Sequence, residues 1–133
     1  MVWAANYSVG VNLFFELAAT AGRVMAGSSF DVHVVETHHA AKKDAPSGTA
    51  QTLVGVLREG LGRAAPVTSV RTGHVPGTHE IVFDAPFEQV RLEHAARDRR
   101  VFADGALLAA RWLVGRRGVY TMADVLRLPA EAP

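Results

Sequence analysis

The sequence predicts an α+β fold, a mixed sheet of about four strands with helices packed on one face. Three observations predict it. Apolar residues recur near a 3.6-residue period over 9–25, 49–61 and 98–116. Short segments at 30–36, 67–72, 78–83 and 89–94 alternate apolar and polar residues with period two. The run Asp84-Ala85-Pro86-Phe87 reads as a turn that folds the last two segments into an antiparallel hairpin.

Taken in order, the first helix places Val9, Leu13, Leu17, Ala21 and Val24 on one face, with Asn6 or Ser8 as cap and Gly27 as stop. Just before it, Tyr7 reads by itself as a core or hinge aromatic. The first strand sets Phe30, Val32 and Val34 against Asp31, His33 and Val35, with His33 at a solvent or interface position. The second helix turns Leu53, Val56 and Leu57 inward and closes at Gly60 and Gly62. Gly60-x-Gly62-x-x-Ala65 has the spacing of a dinucleotide fingerprint, but it follows a helix instead of a strand and is set aside. Ile81 and Phe83 alternate with Val82, and Val90 and Leu92 with Arg91 and Glu93, giving the sheet one apolar and one mixed face. The third helix presents Phe102, Ala106, Ala109 and Leu113, with Trp112 beside them and small residues for close packing on the sheet. Residues 122–126 add one more turn, and a Pro/Ala tail begins at Pro129. The first strand is expected to enter through a helix crossover, with the other strands hairpin-linked.

A chain of 133 residues, 49% hydrophobic and 20% charged, is one globular domain able to bury a core. A net charge of +1 argues against a nucleic-acid or membrane-surface partner. The arginines near 97–100 and 116–117 therefore read as a solvated face or subunit contact. No cysteine, no basic segment before an apolar core and no apolar run of membrane-spanning length point to a cytoplasmic protein.

The chemistry concentrates between Glu36 and Ala50. Pro46 ends whatever precedes it, and Ser47 can cap the helix that follows. That leaves the Gly48 and Thr49 amides, the Thr49 hydroxyl and the helix dipole facing outward, a combination suited to a carboxylate or phosphate. An ordinary capped helix would explain the turn alone; the cations and proton donors just upstream favour an anion pocket. His38 and His39 titrate near neutrality. In an extended segment they point to opposite sides and should not share one job. Lys42 can neutralise an anion or donate a proton, whereas Lys43 is assigned to solvent. Metal binding is the weaker alternative: there is no cysteine, no HExxH and no second His or acid cluster at ligand spacing.

Glu36-x-His38-His39-x-x-Lys42-x-Asp44-Ala45-Pro46-Ser47-Gly48-Thr49-Ala50 resembles the signature of the dihydrodipicolinate reductase (4-hydroxy-tetrahydrodipicolinate reductase) family. So do the run from Ala4 to Asn12, Arg71-x-Gly73, Gly77-x-His79, and His94-x-Ala96-x-x-Arg99-x-x-Phe102. The resemblance covers the C-terminal, substrate-binding half of a two-domain protein. It implies a hinge segment at 1–8, a substrate-binding and oligomerisation domain at 9–128, and a dinucleotide-binding domain that would precede Trp3.

The family reaction is reduction of a cyclic dicarboxylate with NADPH or NADH to tetrahydrodipicolinate, in lysine and diaminopimelate synthesis. By matching positions, His38 is the general acid/base and Lys42 a second proton donor or electrostatic partner. His39, Gly48 and Thr49 hold the carboxylates, and Ser47 supports the turn. Ala4, Ala5, Asn6 and Tyr7 lie by the nicotinamide, and no metal is involved. The family also implies a homotetramer formed through the open sheet face. With no phosphate-binding glycine loop, the chain by itself is expected to turn over little substrate. A stand-alone dicarboxylate-binding or oligomerisation domain is the alternative, and the gene sequence upstream would separate the two.

Overall fold

The computed structural model describes residues 1–129, so the tail beyond Pro129 lies outside the described residues. The chain runs β1 (Val2–Trp3), α1 (Val9–Met25), β2 (Asp31–His38), α2 (Gly48–Leu61), β3 (Val67–Arg71), β4 (Thr78–Ala85), β5 (Glu88–Ala95), α3 (Arg100–Leu113), β6 (Tyr120–Thr121) and α4 (Met122–Leu126).

Four strands form the main sheet in the order β3-β2-β4-β5. β2 and β3 run parallel because α2 supplies the crossover that a parallel pair needs. β4 lies antiparallel on the other edge of β2 and turns through Pro86 and Phe87 into β5. Only β4 and β5 are therefore hairpin-linked; β3 and β4 flank β2 instead of pairing, which corrects the expected connectivity.

The core lies between the sheet and α1 with α2. Val32, Val34, Ile81 and Phe83 point from the strands into a layer of Phe14, Ala18, Leu53, Leu57 and Leu61. α1 buries Val11, Phe14, Ala18 and Gly22, whereas Leu13, Leu17 and Val24 stay exposed. The face expected from the sequence is thus rotated. Its cause is close helix packing: a Cβ on Gly60 of α2 would lie 2.8 Å from the Arg23 backbone nitrogen and 2.9 Å from the Gly22 carbonyl carbon. Small residues make that contact, and their low hydrophobicity hides it from a periodicity count.

The third helix also departs from expectation. It is shorter than 98–116 and packs on α4 and β1 instead of the sheet, around Ala109, Met122 and Val125 with Val2, Ala4, Tyr7 and Trp112. Its buried positions are Gly105 and Ala109, and Ala106 is exposed. Gly105 is needed there because a Cβ would fall 1.7 Å from the Tyr7 carbonyl oxygen. A small parallel sheet of β1 and β6 joins the two ends of the domain.

Candidate active site

β2 extends two residues beyond the predicted strand, and this builds the site. Val32, Val34, Glu36 and His38 share one face by strand alternation. The apolar pair enters the core, and the same face then carries a fully buried carboxylate and a half-buried imidazole to the sheet's end. A buried carboxylate needs partners. Glu36 Oε1 accepts from Arg71 Nη2 at 2.8 Å and from the Ser47 amide at 3.1 Å. Its Oε2 accepts from Arg71 Nη1 at 3.0 Å and lies 2.5 Å from His38 Nδ1. Burial alone would raise the Glu36 pKa; Arg71, His38 and the Ser47 amide outweigh it and hold the group at about 2. Burial pushes His38 below its ordinary value despite the neighbouring carboxylate.

Next in the chain, Ser47 caps α2 by accepting from the Ala50 amide at 3.1 Å. His79, buried on β4, lies with Nε2 3.1 Å from the Ser47 hydroxyl and edge-on to His38 at 5.3 Å between ring centroids. Burial, reinforced by His38, pushes the His79 pKa down to about 4, so it is neutral near pH 7. The Gly48 and Thr49 amides stand in the first turn of α2, where no intrahelical acceptor exists. A Cβ at Gly48 would meet no protein atom within 4 Å, so packing does not require glycine there. Asn6 Nδ2 donates to the Thr49 hydroxyl at 3.0 Å and ties the segment before α1 to this turn.

These groups face a cavity of about 220 Å³. His38, His39, Lys42, Ser47, Gly48, Thr49, Ala5 and Asn6 all line it, together with His79, His94 and Arg99. Both neighbouring histidines reach the same cavity because β2 ends at His38 and the chain turns; the expected separation onto opposite sides does not hold. Lys42 lines the cavity with its ammonium 2.9 Å from Asp44, while Lys43 is exposed. Ala4 and Tyr7 sit elsewhere, in the α3–α4 cluster, and the Tyr7 hydroxyl donates to the Val2 carbonyl at 2.9 Å.

Glu36, Arg71, His79, His94 and Arg99 are site residues to which sequence reasoning gave no role there; Arg99, read as part of a solvated face or subunit contact, instead lines the cavity. Glu36 left a signal, since it falls in phase with Val32 and Val34 on the apolar face. Glu36, His38 and His79 also bring ligand-type atoms within 4.8 Å of one another, a cluster not anticipated from spacing. The Arg71 guanidinium already occupies both Glu36 oxygens there, which opposes a second cation.

The N-terminus of α2, a lysine and several imidazoles thus line one cavity at the end of a four-stranded sheet. Residues 10–126 match the family model described as dihydrodipicolinate reductase, C-terminus, and the chain belongs to that family. It is 44% identical over 143 residues to the 4-hydroxy-tetrahydrodipicolinate reductase of Methanoregula boonei, an alignment that takes in 96% of this chain and 55% of the relative. The corresponding enzyme of Myxococcus xanthus is 47% identical over 146 residues, covering 95% of this chain and 54% of the relative. The chain thus spans little more than half the length of the relatives it matches. Among solved structures, the dipicolinate-bound dihydrodipicolinate reductase of Paenisporosarcina sp. TG-14 has the same fold. Its TM-score is 0.74 at 22% identity, over 92% of this chain and 53% of that one.

Proposed function

We propose that this chain is the substrate-binding half of a 4-hydroxy-tetrahydrodipicolinate reductase, an NADPH- or NADH-dependent oxidoreductase of lysine and diaminopimelate synthesis. The observation that carries the reading is the convergence on one cavity of His38, Lys42 and the first-turn amides of Gly48 and Thr49. A cyclic dicarboxylate needs cations and N–H donors for its two carboxylates and a proton-transfer group beside its ring. Lys42, His39, Gly48 and Thr49 hold the carboxylates, and Ser47 fixes the turn that presents them. His38 handles the proton. It is neutral in the free protein, and an arriving dianion favours its protonated form, so proton uptake accompanies binding.

The reduced nicotinamide supplies a hydride when bound. Ala5 and Asn6 on the cavity rim fit its ring end, and Ala4 and Tyr7 set the backbone from which that rim projects. The described residues offer no cradle for the dinucleotide phosphates, because Gly60 and Gly62 belong to the C-terminus of α2. That half of the work falls to a separate nucleotide-binding domain, joined through the hinge at 1–8 to the domain at 9–128. The setting is cytoplasmic, and no helix among the described residues is long and apolar enough to cross a membrane.

Pyridine-2,6-dicarboxylate, a stable aromatic dicarboxylate, tests the reading by isothermal titration into the chain. Saturable binding with one site per chain is expected. No heat and no protection of the Gly48 and Thr49 amides would defeat it.

A further inference from the structure

Glu36 is the one fully buried carboxylate among the described residues, and the reaction as outlined gives it no task. Stability alone does not account for it, since a buried ion pair contributes little over an apolar pair of the same size. Its contacts do. An ionised carboxylate only accepts hydrogen bonds, so the 2.5 Å contact makes His38 Nδ1 the donor. The neutral ring then carries no proton on Nε2. That atom lies beside Gly77, which lines the cavity together with His38; a Cβ on Gly77 would come to 3.0 Å from it.

The other Glu36 oxygen holds the Ser47 amide, one residue before the carboxylate-binding turn. Arg71 grips both oxygens and also donates to the Asp44 carbonyl at 2.7 Å, on the loop that carries Lys42. One carboxylate therefore joins the proton-transfer ring, the helix N-terminus and the lysine loop.

We propose that Glu36, clamped by Arg71, is a positioning residue of this site: it fixes His38 as the Nδ1–H tautomer and holds the turn at Ser47, Gly48 and Thr49 in register with that ring. Nε2 is thereby the atom that exchanges protons with a ligand. The proposal deepens the reading of His38 as the acid/base and rests on it.

Long-range proton–nitrogen correlation spectra of the nitrogen-15-labelled chain read the tautomer directly. His38 is expected as the Nδ1-protonated form near neutral pH; an Nε2-protonated ring in the unaltered chain would overturn the proposal. Removing Glu36 alone strands the Arg71 charge, so the informative variant is the double change Glu36→Gln with Arg71→Met. It is expected to show mixed His38 tautomers. Its pyridine-2,6-dicarboxylate affinity should fall roughly tenfold, the loss of one misplaced charge-assisted contact. A folded double variant with wild-type tautomer and affinity would overturn the proposal equally. Should that variant fail to fold, the wild-type spectrum decides. Absence of dicarboxylate binding in the unaltered chain defeats the functional reading and leaves the tautomer result standing.

Discussion

Glu36 and His79 couple this fold to pH in the same direction. Glu36 titrates at about 2 in the folded chain against an ordinary 4.5, so between those values the unfolded chain binds a proton that the folded one refuses. Its contribution is fully present above pH 4.5 and lost as pH falls through 2, on the order of 3 kcal/mol. His79 sits at about 4 against 6.5, chiefly through burial, so the unfolded chain again takes up the proton first in that window. Urea midpoints at about pH 7, 5 and 3 are expected to fall at both steps. His79→Gln is expected to shrink the first step and the upper part of the second, down to about pH 4, leaving the Glu36 loss below it. A midpoint constant across the range would contradict these assignments. At this scale the sequence was half legible. Alternation places Glu36 on the apolar face, but its partner Arg71 is set by the parallel register that puts His38 opposite Arg71, which no local pattern carries.

At the scale of elements, the four strands of the main sheet and the second helix followed from period and cap chemistry, including the Ser47 cap of α2, whereas the two-residue strands β1 and β6 are too short to show a period. The extent of α1 and its Ser8 cap followed too, but its buried face did not, because apolar residues run almost all the way round it and two stripes compete. The buried stripe is the one with Ala18 and Gly22, whose small size lets α2 approach; the exposed one is richer in leucine. Phe14→Ala is expected to cost about 3–5 kcal/mol, the usual penalty for emptying a buried aromatic site. Leu17→Ser is expected to stay within about 0.5 kcal/mol, as for a surface change. Chemical denaturation of both variants checks this, and the opposite ranking would return the helix to the face read from the sequence. The third helix was misplaced for a related reason: Gly105 marks its contact with the Tyr7 backbone, and a hydrophobicity count passes over glycine.

For the whole molecule, the open face of the sheet is the unfinished surface. α1 and α2 cover one face, and α3 packs on α4 and β1, leaving His33, Val35, Val70, Glu80, Val82 and Arg91 on the other. Val35 and Val82 are half-buried, Val70 is 37% exposed, and His33 bonds Thr68 across the strands at 2.7 Å. A homotetramer formed through this face is the expected assembly, and light scattering at about 50 µM, well above a micromolar dissociation constant, should return about four times the 14.2 kDa chain mass. A monomer there would contradict it, and Val82→Arg should lower the mass if the face is right.

The central claim is that the cavity at the end of β2 holds a dicarboxylate, and paired lysine variants test it most directly. Lys42 lines the cavity and Lys43 is exposed one residue away, so the two variants match in charge change and differ in position. In calorimetric titrations with pyridine-2,6-dicarboxylate, Lys42→Ala should weaken binding about tenfold or more, the value of a charge-assisted contact of roughly 1.5–3 kcal/mol. Lys43→Ala should leave the affinity within about twofold of the unaltered chain. Equal losses in both variants, or a loss confined to Lys43→Ala, would contradict the account.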